Sequence, residues 1–375
     1  MLHEKGALHQ LITDSWVSPR FQPLVAKLSK SLSLRRHNGI PDDKVRSATC
    51  GRLLFDFSMR AKGLEGWPAI IKRNNWFQKW AADHVKRAKG KADVCFSYSY
   101  TARLPFEIAR DNGMRCVLGQ IDPGPLEHEV VDAATQEYKE LRLKDDIRPA
   151  QIYWDEWRSE VEMSDSIIVN SEWSKELLVR QHIPVSKIHV VPLAYEAPAY
   201  TRESRPIKPR DADITVLFLG QVILRKGIGQ LFDAIRLLSD APIRFVIAGP
   251  LGVKVPQDVT SNPRVTFTGA VDGATARKLY QQADVFILPT LSDGFAITQL
   301  EALAYGVPVI ASRYCGEVVN HEETGLLLDR VTGASIAEAL LGLTQGDLLA
   351  HMQANAKVPT HFQLDAVGKV IYDII

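Results

Sequence analysis

The chain predicts an α/β protein of two doubly wound, Rossmann-like domains that face each other across a central cleft. Three observations lead there. Short apolar runs bounded by Gly, Pro and Asp alternate with segments of helical period, the pattern of βαβ units and parallel sheets. That alternation stops at 196–210, a stretch rich in Pro and charge with no apolar period, and restarts beyond it. A length of 375 residues also suffices for two domains of ordinary size, each with its own core.

In chain order, 92–100 reads as a strand, 101–112 as a helix ended by Gly113, and 114–120 as the next strand. Residues 165–170 read as a strand, Ser171 as the N-cap of a helix that holds Ser174 and Lys175, and 187–192 as another strand. Beyond the linker, strands are expected at 214–219, 243–248, 265–268, 284–288 and 307–311, and a last apolar-periodic helix at 364–375. The domains would span 1–200 and 201–359. A ligand would lie at the strand C-termini in the cleft between them.

Composition narrows the function classes. Hydrophobic content of 46% with 24% charge describes a soluble globular protein. Four cysteines, Cys50, Cys95, Cys116 and Cys315, have no spacing for zinc or a redox motif, and Cys95 and Cys116 read as small core residues in a reducing compartment. No run of about 20 apolar residues occurs, and the N-terminus lacks a signal-peptide core, so a cytoplasmic location is expected, with the inner face of the cell membrane as a variant.

Residues 1–100 carry 18 Lys/Arg against 8 Asp/Glu, although the whole chain is only +1. A basic first quarter suits a membrane surface, an anionic acceptor or a solvated face. No recognition motif accompanies it, which excludes nucleic acid as the expected partner. Within it, 67–91 interleaves Trp67, Trp76, Phe77 and Trp80 with seven Lys and Arg residues. Such a helix can lie on an anionic bilayer, or more simply pack its aromatics on the first domain's sheet and leave its basic face solvated.

The most informative stretch is 292–301, Ser-Asp-Gly-Phe-Ala-Ile-Thr-Gln-Leu-Glu, between a buried strand and a helix closed at Gly306. A strand, a Gly turn and a helix start present backbone N–H groups and a positive dipole end to an anion. Asp293 lies in that turn, Gly294, Phe295, Ala296, Ile297 and Thr298 follow it, and Glu301 is expected two helical turns later. Carboxylates accept from sugar hydroxyls, so an anion site between two acids suits a nucleotide-sugar. Earlier, 216–227 ends a strand at Gly220, where the backbone can come close, and then places Arg225 and Lys226 before Gly227. Adjacent cations there suit a diphosphate whose charge grows as it leaves. A plain capping Asp and solvated cations are the bland alternatives, though a helix start repels cations.

The 292–301 stretch resembles the acidic–seven residues–acidic motif of the retaining glycosyltransferases of family 4, which have the GT-B fold. The resemblance implies that Asp293 contacts hydroxyls of the donor sugar and that Glu301 binds the ribose. The family usually has Glu-Gly-Phe-Gly where this chain has Asp-Gly-Phe-Ala. Residues 220–227 resemble the family's Gly-Arg…Lys-Gly segment, with Lys226 in the Lys position, Gln221 where the Arg usually stands, and Arg225 next to it as a substitute charge. Gly249 and Gly269 resemble strand-end turns that border the nucleotide. Many members carry a His at the end of a first-domain strand. Here Gln120 falls near that position and Asp122 two residues on, in a Pro/Gly turn that suits a turn former as well as a catalytic group. Glu127 and His128 are further polar groups, expected on a loop.

The resemblance is clearest over about 160–330, and the family's opening strand and Gly-Gly loop have no match in the first ~90 residues. It implies a final helix crossing back onto the first domain and a hexosyl transfer that needs no metal or cofactor. The sugar would pass with retention from a nucleotide-sugar donor to a sugar or lipid-linked acceptor, in polysaccharide or glycolipid assembly. The alternatives are a non-catalytic GT-B binding protein and a nucleotide-sugar epimerase.

Overall fold

The computed structural model describes residues 2–28, 30–143, 149–197 and 213–375. Most of the expected linker, and the boundary at 200, lies outside the described residues.

The first domain opens with β1 (Leu11–Thr13), helices α1 (Gln22–Leu28) and α2 (Lys30–Ser33), and β2 (Val45–Ser47), which pairs in parallel with β1 in a small sheet of its own. A helical hairpin follows, α3 (Thr49–Ala61) and α4 (Gly66–Arg87). The aromatics of α4 are packed, but not all on the sheet. Trp67 joins the domain core, whereas Trp76 stacks on Phe55 of α3, ring centroids 5.4 Å apart.

The main sheet of this domain is all parallel in the order β3 (Val94–Tyr98), β4 (Arg115–Gly119), β5 (Ser166–Val169), β6 (Ile188–Val190). Its helices are α5 (Arg103–Asp111), α6 (Pro125–Glu137), α7 (Gln151–Met163) and α8 (Glu172–Arg180). Ser171 caps α8 as expected, accepting from the Ser174 N–H at 3.1 Å. The start of α5 is held from a distance: Glu160 of α7, fully buried, accepts from the N–H groups of Tyr100, Ala102 and Arg103 at 2.6, 2.7 and 3.1 Å. These groups have no partner within the helix, so a carboxylate there satisfies them. Burial nevertheless lifts the Glu160 carboxyl to about 7.

In the second domain β7 (Ile214–Leu219), β8 (Ile243–Ala248), β9 (Val265–Gly269), β10 (Val285–Leu288), β11 (Val309–Ser312) and β12 (Gly325–Leu328) form one parallel sheet, ordered β12-β11-β10-β7-β8-β9. Its helices are α9 (Ile228–Leu237), α10 (Gln257–Thr260), α11 (Gly273–Gln282), α12 (Thr298–Ala304), α13 (Gly333–Leu343) and α14 (Leu348–Asn355). Successive residues of β10 feed two separate cores. Val285 and Ile287 pack with Phe232 of α9 and Leu340 of α13, while Phe286 and Leu288 pack with Tyr280 of α11 and Leu303 of α12. A strand buried on both faces is apolar throughout, which is why this domain's strands stand out in the sequence.

The last helix and α6 are two of the segments that tie the domains together. The last helix, α15 (Leu364–Ile374), returns to the first domain, where Val367 packs with Val117, Ile168 and Val191 and the Arg115 guanidinium donates to the Ile374 carbonyl at 3.1 Å. In the other direction, Ala134 of α6 and the following Tyr138 and Leu141 pack into the second domain's core. The Tyr138 hydroxyl donates to Asp233 at 2.7 Å. Two parallel α/β domains thus face a cleft, as expected. Among the described residues the reversal of strand order is confined to the second sheet, between β7 and β10.

Candidate active site

The crevice at such a reversal opens outside the carboxyl ends of the strands. Gly220, Gly249 and Gly269 follow or end β7, β8 and β9 there, side by side. The Gly220 N–H donates to the Ala248 carbonyl at 2.9 Å and the Gly249 N–H to the Gly269 carbonyl at 2.8 Å. Gly249 has φ of 141°, and a β-carbon on it would overlap the Gly220 carbonyl oxygen, so no other residue fits.

The loops after β7 and β10 are joined through Arg225. Its carbonyl accepts from the Leu291 N–H at 2.8 Å and the Thr290 hydroxyl at 3.1 Å. Gly227, at φ 71°, lies so close to the Pro289 carbonyl that a side chain would collide with it. This packing aims both cations at the stretch 292–294. The Arg225 guanidinium donates to the Ser292 carbonyl at 2.8 Å and lies 3.4 Å from Asp293 Oδ1 and 3.5 Å from Glu127 Oε1. The Lys226 ammonium is ion-paired with Asp293 Oδ2.

Glu127 crosses from the first domain. It stands in the first turn of α6, not on a loop, because Gly124 and Pro125 start that helix. Its carboxylate accepts from the Ser292 hydroxyl at 3.0 Å, and that same hydroxyl accepts from Trp173 Nε1 at 3.0 Å. Burial pushes the Glu127 carboxyl up to about 7 against the pull of Arg225, and nearby Asp122 adds to the rise. Burial likewise brings Lys226 down to about 8, helped by the adjacent Arg225 and opposed by Cys315 and Glu127.

The turn itself is wedged between the domains. Gly294 lies against the backbone of Ile121, with no room for a side chain. Phe295 is buried and stacks edge-on with Phe362 at 5.9 Å, anchoring the turn from below. Ala296 and Ile297 lead into α12, which starts at Thr298. Glu301 is therefore in the first turn of that helix rather than two turns into it. Its Oε2 accepts from the Tyr280 hydroxyl at 2.8 Å, and Tyr280 stacks on Tyr305 at 5.6 Å. Tyr280 as the holder of Glu301 left no mark in the sequence.

Asp122 is engaged within its own domain. It accepts from the Tyr100 hydroxyl at 2.5 Å, the Gly124 N–H at 2.9 Å and Gln120 Nε2 at 3.2 Å. Gln120 in turn accepts from Trp157 Nε1 at 2.9 Å. This geometry gives Asp122 the work of a turn former, with no hydrogen bond or ion pair to Arg225 or Lys226. His128 packs between Trp67 and Trp154 at 5.8 and 5.0 Å, among aromatics. A separate cavity of about 660 Å³ lies at the hinge, lined by Tyr195, Leu303, Lys357 and Leu364 among others, and none of the expected site residues borders it.

Residues 213–345 match the family model described as Glycosyl transferases group 1. An uncharacterized glycosyltransferase of Methanocaldococcus jannaschii is 29% identical over 188 residues, 46% of this chain and 48% of that protein. The amylovoran biosynthesis glycosyltransferase AmsK of Erwinia amylovora is 25% identical over 219 residues, 53% of each. The chain thus spans about half the length of the curated relatives it matches. Among solved structures, Anabaena HepE in complex with UDP-glucose aligns over 96% of this chain and 97% of its own, with a TM-score of 0.57 at 15% identity.

Proposed function

The chain has the GT-B fold, and from its cleft we propose that it is a glycosyltransferase that moves a sugar from a nucleotide-sugar donor to an acceptor hydroxyl with retention at the anomeric carbon. The observation that carries this reading is the pairing of Arg225 and Lys226 with Asp293 at the β7–β10 reversal, with Glu301 in the first turn of the helix that follows.

Two cations on neighbouring residues form a diphosphate seat, and Gly220, Gly249 and Gly269 let the nucleotide approach the strand ends closely. Glu301, oriented by Tyr280, accepts from the ribose hydroxyls. Asp293 accepts from hydroxyls of the donor sugar while it neutralises Lys226. As the bond from the anomeric carbon to the phosphate oxygen breaks, negative charge grows on the phosphate beside Lys226 and Arg225, where it is stabilised most. The acceptor oxygen attacks from the same face, and its proton passes to a leaving phosphate oxygen. Positioning does more here than a strong base would. The naming of AmsK for amylovoran biosynthesis supports polysaccharide or glycolipid assembly as the setting.

The test is a thermal-shift screen of UDP-, GDP-, ADP-, dTDP- and CMP-sugars, since a bound donor raises the melting temperature by mass action. Any donor found is then followed by NMR for the anomeric configuration of the product. Inversion would remove the retaining assignment, and a screen with no shift would remove the donor site.

A further inference from the structure

The α3–α4 hairpin uses only part of its apolar surface. On α3, Gly51, Phe55 and Met59 turn inward, with Gly51 and Phe55 against Trp76 of α4. The opposite side carries Leu53, Leu54 and Phe57, which are 52%, 72% and 74% exposed, with exposed Cys50 and Ala61 at the ends. At about 100° per residue these five side chains fall in one stripe about 100° wide. One helix therefore has two apolar faces, and only one of them is covered.

The stripe is bordered by positive charge. On α4, Trp76 lies about 140° and 180° around the helix from Ala81 and Val85, so α3 rests on the outer side of α4. Lys72, Lys79 and Lys86, all exposed, recur every seven residues at about 40° to 80° from Trp76. They form a basic row along the edge of the helix that carries α3. Arg60 and Lys62 stand exposed at the end of the stripe. Residues 49–91 hold ten Lys/Arg and three Asp/Glu.

We propose that the outer face of the α3–α4 hairpin docks on an anionic lipid bilayer. Leu53, Leu54 and Phe57 enter the boundary between headgroups and acyl chains, and Lys72, Lys79, Lys86, Arg60 and Lys62 meet the acidic headgroups. Neither part suffices alone, because a short apolar stripe or a few lysines gives marginal binding and the two together give stable attachment. Trp76 of α4 supports this surface from beneath, and the apolar side chains that enter the bilayer come from α3. The hairpin also reaches the cleft: Trp67, at the start of α4, contacts His128 beside Glu127 with rings 5.8 Å apart. Docking would bring the acceptor side of the cleft to the bilayer. That consequence rests on the transferase reading, whereas the docking itself does not.

The experiment is co-sedimentation of the full chain with vesicles of phosphatidylcholine alone and of phosphatidylcholine with phosphatidylglycerol in equal parts, at low and at molar salt. Wild type should bind the anionic vesicles and be released partly by salt. Leu54→Ser/Phe57→Ser should lower binding at both salt concentrations. Lys72→Gln/Lys79→Gln/Lys86→Gln should lower it by roughly a hundredfold at low salt, with little further effect of salt. Each substitution is on an exposed position, so melting temperature should stay unchanged, and nucleotide-induced thermal shifts report on the donor site separately. Wild type left in the supernatant with anionic vesicles overturns the proposal, as does full binding by the Leu54/Phe57 variant. A wild-type dimer that becomes monomeric in that variant, with no vesicle binding by either, makes the stripe an interface between copies and also overturns it.

Discussion

Glu127 in the first domain accepts from the Ser292 hydroxyl of the second at 3.0 Å, and the same carboxylate lies 3.5 Å from Arg225. A largely buried acid thus joins the two domains at the very cation assigned to the donor phosphates.

The Glu127 carboxyl stands at about 7 in the folded protein, above the usual ~4.3 of an unfolded chain. The folded state therefore binds the proton more tightly. The stability this gives is complete below about 4.3 and is lost as pH rises through about 7, on the order of 4 kcal/mol. Glu160, also at about 7, contributes in the same direction. Urea unfolding of Glu127→Gln should show a shallower loss of stability between pH 5 and 8 than wild type, about half as steep. Above pH 7 the ionised Glu127 also competes with phosphate for Arg225, so UDP affinity should fall with pH in wild type and less so in Glu127→Gln. Parallel stability curves would place the proton elsewhere.

Glu301→Ala should weaken nucleoside diphosphate binding by roughly 1.5–3 kcal/mol, the worth of a hydrogen bond to a charged acceptor. Tyr280→Phe should do the same more mildly, because Glu301 keeps its charge and loses only the hydroxyl that orients it. Calorimetry with UDP, GDP and ADP reads both. Unchanged affinity in Glu301→Ala, with the fold intact, would take the residue out of the site.

The second domain was the more legible. Strands at 214–219 and 243–248 match β7 and β8 residue for residue, since buried parallel strands are continuous apolar runs with Gly at their ends. The opening of the chain was not legible, because β1 and β2 are three residues each and neither is mostly buried. The local order of the site could be read where turn chemistry is strong, as with Gly227 and the helix closed at Gly306. Helix starts were less distinct: the turn 293–297 delays α12 to Thr298, which moves Glu301 into its first turn. What lay wholly out of reach were contacts between distant residues. Lys226 and Asp293 are 67 positions apart, Glu127 and Ser292 are 165, and no local pattern records either pair.

Lys226→Ala should lower kcat more than it raises the donor's dissociation constant, because phosphate charge is greatest in the transition state. Lys226→Arg should recover part of the loss, limited by the tight fit against Pro289 that Gly227 permits. A rise in KM alone would make Lys226 a docking cation without a share in the chemical step.

The sharpest expectation concerns Asp293, which is ion-paired with both Lys226 and Arg225. A diphosphate must take those cations from it, whereas the donor sugar needs its carboxylate as an acceptor. Asp293→Asn should therefore bind a nucleoside diphosphate as tightly as wild type or several-fold tighter, since two cations lose their internal counter-charge. The intact nucleotide-sugar should bind less well relative to the diphosphate, and turnover should fall. Asp293→Glu reaches one methylene further from a turn whose neighbour Gly294 is wedged against Ile121, so the chain cannot shift to accommodate it and donor preference should change. Side-by-side calorimetry of the donor and its diphosphate in wild type, Asn and Glu forms separates these effects. Equal losses for both ligands in Asp293→Asn would reduce the residue to a shaper of the turn and leave the donor sugar without its proposed contact.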